Sequence, residues 1–132
     1  MNQQAEALKA RTAAFATLII DLCSRVPQTQ AGHHLTRQLI EAATSVNANY
    51  RAACRGRSRA EFIAKIGTAT EEADECCGWL DLLVKNRLLT KEQSDGPLKE
   101  ANELTAILTA SQKTARRNHR ARKSPPKSSI SE

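Results

Sequence analysis

At 132 residues with 3% aromatic content and a net charge of +6, the chain has the size of one domain and too few large side chains for a sandwich or barrel. Leu, Ile and Ala supply most of an apolar fraction of 40%, which suits a regular helical core; so small a core favours oligomerisation. No run approaches the roughly 18 apolar residues that span a bilayer, and Cys23, Cys54, Cys76 and Cys77 lack a disulfide framework's spacing, so no membrane association and reduced, cytoplasmic thiols are expected.

The first helix is predicted from about Gln3 to Val26, where Leu8, Phe15, Leu18, Ile19, Leu22 and Val26 paint one face. Pro27 ends it by pushing the preceding residue out of the helical region. Thr29 is the candidate N-cap of the second helix, although Gly32 points to a start a few residues later. Leu35, Leu39, Ala42, Ala43, Val46 and Tyr50 mark its stripe to about Cys54. The small residues Ala42, Ala43, Thr44, Ser45, Ala48, Ala52 and Ala53 admit close approach, either by a helix of the same bundle or by another subunit.

Arg55–Ser58 forms the next turn, with Gly56 suited to a left-handed helix end and Ser58 and Glu61 to a capping box. The third helix runs from about Arg59 to Asn86 along Phe62, Ile66, Ala69, Ala73, Cys76 or Cys77, Leu80 and Leu83. Gly67 and Gly78 each cost it about 1 kcal/mol, which close packing would explain. Thr90 or Ser94 opens the fourth helix, which either begins near Asp95 or kinks at Pro97, and continues through Leu98, Ala101, Leu104 and Leu108 to about Thr114. Short connections make this an all-α, antiparallel up-and-down four-helix bundle over residues 1–116. Residues 117–132, basic and broken by proline, form an expected disordered tail.

Charge is unevenly placed. Thirteen basic and thirteen acidic residues precede Ser111, and seven cations face only Glu132 after it. A neutral body with a basic tail is the pattern of an arm that meets a polyanion.

Few constellations could carry chemistry. His33-His34 and Cys76-Cys77 lack zinc-ligand spacing, since adjacent helical cysteines point about 100° apart. One of the two cysteines is expected in the core and the other partly exposed. Glu71, Glu72, Asp74 and Glu75 read as a salt-bridge network with Arg37, Arg51 and Arg55, within or between subunits, and no helix has the Glu-x-x-His of di-iron bundles. No catalytic, cofactor-binding or metal residue is expected, and no enzymatic reaction. Arg51, Arg55, Arg57 and Arg59 gather at one bundle end, either as a solvated end balanced by carboxylates or as a phosphate-contacting patch. With Lys113, Arg116, Arg117, Arg120, Arg122 and Lys123 they make the candidate nucleic-acid-binding set, contacting RNA or DNA backbone without sequence preference. No stacking aromatic is interleaved with them.

The runs Arg11–Phe15, Leu18–Cys23, Gln38-Leu39, Ala42–Arg51, Arg57–Phe62, and Glu72–Glu75 with Trp79-Leu80, in that order, resemble bacterial four-helix bundle proteins related to those encoded in intervening sequences of 23S ribosomal RNA. The resemblance covers about Leu8 to Ser111; Gln38, Ser45, Asn47 or Asn49 and the 57–62 segment carry it best. It implies an up-and-down bundle assembled as a ring-shaped homopentamer and associated with nucleic acid. The chain also resembles accessory proteins of diversity-generating retroelements, which implies a reverse transcriptase as partner. Ala52 stands where the pattern commonly has an acidic residue, so no carboxylate contact is carried over there, and the tail lies outside the resemblance. Two functions follow as expectations: a nucleic-acid-associated assembly protein, or a protein-binding scaffold whose tail contacts an acidic partner.

Overall fold

The computed structural model describes residues 2–123 as four helices: α1 (Gln3–Cys23), α2 (Gln30–Cys54), α3 (Arg59–Lys85) and α4 (Lys91–Lys123). Each packs on its neighbours in cyclic order, α1–α2, α2–α3, α3–α4 and α4–α1, which is the expected up-and-down four-helix bundle. The α2–α3 pairing is the most extensive and α1–α4 by far the thinnest.

Local chemistry explains the helix starts. Asn2 Oδ1 accepts from the backbone N–H of Gln4 at 2.8 Å, and Thr29 Oγ1 from Gly32 at 3.1 Å. Ser58 Oγ accepts from Glu61 N at 3.1 Å. Thr90 and Gln93 bond reciprocally, Gln93 N to Thr90 Oγ1 at 3.1 Å and Thr90 N to Gln93 Oε1 at 2.9 Å, a complete capping box. Pro97 therefore sits inside α4, buried, two turns from a start that Thr90 has already secured.

Gly32 does not delay α2. It is buried, and a Cβ there would lie 2.0 Å from the Pro27 carbonyl oxygen, so glycine is required by close approach within the connection. Gly56 does not adopt the expected left-handed conformation; Arg55 ends α2 in right-handed geometry, and the one positive φ among the described residues belongs to Arg87, at 60°. There Leu88 N reaches Leu83 O at 2.9 Å, the long wrap-around bond of a left-handed helix end.

The core is built from Phe15, Ile19, Leu39, Val46, Ile66, Leu80, Leu83, Leu104 and Leu108, all fully or almost fully buried. Ala42, Ala43 and Ala53 of α2 are buried with Ala69 and Ala73 of α3, so these members of the small-residue strip serve packing inside one bundle, while Thr44 and Ala48 face solvent. Leu18 departs from its predicted buried stripe and is 41% exposed. It lies two turns along from Arg11, on the flank of α1 that meets α4, where the helices touch too little to cover it.

α4 runs past the expected end near Thr114 to Lys123. Its last buried residue is Ala115, but Ala, Arg and Lys are strong helix formers and the next proline is Pro125. Residues 117–123 of the expected disordered tail are thus helical; the rest of that tail lies outside the described residues.

Candidate nucleic-acid interface

Up-and-down topology brings four chain segments to one end of the bundle: the start of α1, the end of α2, the start of α3 and the end of α4. Every candidate cation falls there. Arg51 lies in the last turn of α2, Arg55 caps it, Arg57 sits in the turn and Arg59 opens α3. Arg51, Arg55 and Arg57 are exposed and Arg59 half-buried.

On α4, Lys113, Arg116, Arg117, Arg120, Arg122 and Lys123 are all exposed. Lys113, Arg116, Arg117 and Arg120 stand at i, i+3, i+4 and i+7, so they form one stripe rather than a set of independent arms. Gln112 fixes the level of this segment, donating from Nε2 to the Ile63 carbonyl at 3.2 Å and lying against Gly67. From that anchor α4 overhangs the start of α3 by about five residues, roughly 7 Å.

Among the described residues, no ion pair balances the arginine cluster. The ion pairs join Lys9–Glu6, Arg11–Glu100, Arg11–Glu103, Arg25–Asp21, Lys85–Asp81 and Lys91–Asp95. None involves Arg51, Arg55, Arg57, Arg59, Lys113, Arg116, Arg117, Arg122 or Lys123, and these have no described carboxylate within pairing distance. Their charge is left for solvent or a polyanion.

Among the described residues, the expected network around Glu71, Glu72, Asp74 and Glu75 likewise does not form within one chain; neither they nor Arg37 make a described ion pair. Burial and the neighbouring Glu75 raise the Glu72 carboxyl above its ordinary range, partly offset by Ser45 of α2. Cys76 is fully buried and pushed up to about 12 by desolvation, whereas Cys77 is half-buried and its Sγ donates to Asn102 Oδ1 at 3.4 Å. Among the described residues no three His, Cys, Asp or Glu side chains converge on one point.

Two polar clasps hold α1. Asn47 Nδ2 donates to Thr12 Oγ1 at 2.9 Å and to Lys9 O at 3.3 Å, and Arg11 grips Glu100 from Nε (2.8 Å) and Nη2 (2.7 Å) while Nη2 also reaches Glu103 at 2.7 Å. These carboxylates, Glu100 above all, hold the Arg11 guanidinium well above its ordinary range. Beyond the clasps, toward the cationic end, α1 and α4 part around an open cleft of about 940 Å³. Tyr50 and Phe62 contribute to its wall and Arg59 to its rim. The linear order of residues hides this arrangement, because Phe62 and Tyr50 flank the arginines at distances that look unrelated until α2 and α3 pair.

No described helix is long and apolar enough to cross a membrane. Among curated proteins, none matches the chain. A crystal structure at 1.70 Å of a protein with unknown function from the S23 ribosomal protein family, from Bacteroides thetaiotaomicron VPI-5482, is similar with a TM-score of 0.78 and 30% identity, covering 84% of this chain and 99% of that one. The family model for the 23S rRNA-intervening sequence protein matches residues 7–110, stopping short of the cationic stripe of α4. On that match and that structural likeness, the chain belongs to the 23S rRNA-intervening sequence protein family.

Proposed function

We propose that this chain is a non-enzymatic, cytoplasmic, homo-oligomeric bundle that holds nucleic acid at its cationic end through phosphate contacts. The observation that carries the reading is the convergence of ten cations on one end, nine of them without a described carboxylate partner. Guanidinium forks match phosphate geometry and carry no base information, so binding is independent of sequence. A homopentameric ring, which the resemblance implies, sets five such ends side by side, and each further engagement is then intramolecular. The family's description supports a place beside a ribosomal RNA insertion, and the likeness to retroelement accessory proteins supports a reverse transcriptase as partner.

The test is a salt titration of binding to structured RNA and to duplex DNA. Replacing Lys113, Arg116, Arg117 and Lys123 by Gln lowers affinity and reduces the slope of log K against log salt by about 0.7–0.9 for each lost contact. An unchanged slope removes the stripe from the mechanism. A protein scaffold is the second reading, favoured by exposed Leu18 (41%), Ile20 (49%) and Leu82 (40%). One protein recovered stoichiometrically, with no nucleic acid retained at physiological salt, supports it instead.

A further inference from the structure

We infer that the cleft between α1 and α4 at the cationic end is a pocket for one unpaired nucleobase of a single-stranded nucleic acid; the inference rests on the nucleic-acid reading above. The cleft, about 940 Å³, falls within the roughly 300–1,000 Å³ of small-molecule pockets, with space for a base and its sugar. It opens at the same bundle end as Arg55, Arg57 and Arg59, so a strand held there by phosphate contacts passes its mouth.

Its wall has the chemistry a base needs. The Phe62 ring is half-buried among apolar neighbours and lines the cleft, which offers a face for stacking. Tyr50, buried beside Cys54, lines the cleft with a phenol that is neutral at physiological pH, as any tyrosine is, so it brings no charge to repel a base. Gln4, Thr114 and Asn118 also line the cleft, and their side chains take no partner among the described residues. Carboxamides and hydroxyls of this kind match both the donors and the acceptors on a base edge. Arg59, at the rim, is placed for the adjoining phosphate.

Two of the chain's four aromatic side chains, Tyr50 and Phe62, line this cleft, while Phe15 serves the core. Duplexes cannot fill it, since their bases are stacked and paired. The pocket therefore adds a preference for single strands to an otherwise indiscriminate cationic surface.

The experiment compares oligouridylate and oligothymidylate with abasic oligomers of the same length and backbone charge, by fluorescence anisotropy at fixed salt. Base-bearing strands are expected to bind about fivefold or more tightly than abasic ones, as one base stacked on an aromatic provides. The uridylate and thymidylate arms show whether ribose or deoxyribose is preferred. Phe62→Leu removes the ring and Thr114→Trp, at an exposed position, blocks the mouth; each collapses the difference between base-bearing and abasic strands. Thr114→Trp decides the matter if Phe62→Leu does not fold. Equal binding of abasic and base-bearing strands, or a difference that survives Thr114→Trp, overturns the pocket while leaving phosphate binding in place. Failure of every strand to bind overturns the underlying nucleic-acid reading as well.

Discussion

Replacing Arg11 by Met would detach α1 from α4 while keeping most of the side chain's apolar stem. Arg11 makes three charge-assisted hydrogen bonds, to Glu100 at 2.8 and 2.7 Å and to Glu103 at 2.7 Å, across the thinnest seam of the bundle. Hydrogen bonds to charged groups contribute about 1.5–3 kcal/mol, and exposed ion pairs about 0–1. Side-chain exposures of 37% for Arg11, 25% for Glu100 and 47% for Glu103 place this triad between those limits, at about 1–2 kcal/mol. The substitution also leaves two carboxylates three residues apart with nothing between them, a repulsion of about 0.2–0.5 kcal/mol. For a bundle of this size the expected loss is about 4–8 °C in Tm, read by circular dichroism at 222 nm and shrinking in high salt. A double-mutant cycle with Glu100→Gln separates the pairwise contribution from the packing loss. Hydrogen exchange should show α1 amides opening faster while those of α2 and α3 keep their protection. Additive single effects, or exchange rising equally in all four helices, would refute the clasp.

Other substitutions give sharper signs than sizes. Gly32→Ala forces a Cβ toward the Pro27 carbonyl and should cost about 1–3 kcal/mol, whereas Gly78→Ala, with open space around its Cβ, should gain about 0.5–1 kcal/mol; chemical denaturation midpoints decide both. Glu72 has a folded pKa raised above the unfolded value, so its carboxyl favours the folded state while protonated and loses that contribution as pH rises through the folded pKa. Glu72→Gln should therefore raise Tm at neutral pH and gain nothing well below pH 4, and an equal gain at both would remove titration as the cause. Asn118→Pro keeps every charge but interrupts the α4 stripe, and affinity for duplex RNA, whose paired bases cannot enter the cleft that Asn118 also lines, should fall about tenfold if the cations act as one rigid row; a flexible arm would show no change.

Much of the architecture was legible because it rests on local signals. Thr29, Ser58 and Thr90 announce helix starts by short-range hydrogen bonding, and the 3.6-residue stripe through Phe15, Ile19, Leu39, Ile66 and Leu104 survives as the core. Failures arose where tertiary geometry overrides a residue's usual role. Gly32 resembles a helix breaker but answers a close approach, and Arg87 takes the left-handed position reserved by habit for glycine. Leu18 fits the periodicity and is uncovered because α4 stands too far off. The end of α4 was misread because charge without apolar periodicity looks like an unfolded tail, although nothing before Pro125 interrupts a helix. Of the candidate interface, the cations were legible one by one; their convergence, and the aromatic pair beside them, required the chain to be folded back on itself three times.

An even number of antiparallel helices returns the described chain to where it began, with Asn2 and Lys123 at the same end as the cations. A purification tag or fluorophore attached beside Asn2 or Lys123 would crowd the cationic surface and, if rich in histidine or acidic residues, alter its response to salt. The opposite pole is formed by the connections around Gln28 and Asn86, both exposed. Single labels placed there report on binding from a distance, and they give an immobilised sample a known orientation with its cationic pole toward the solution.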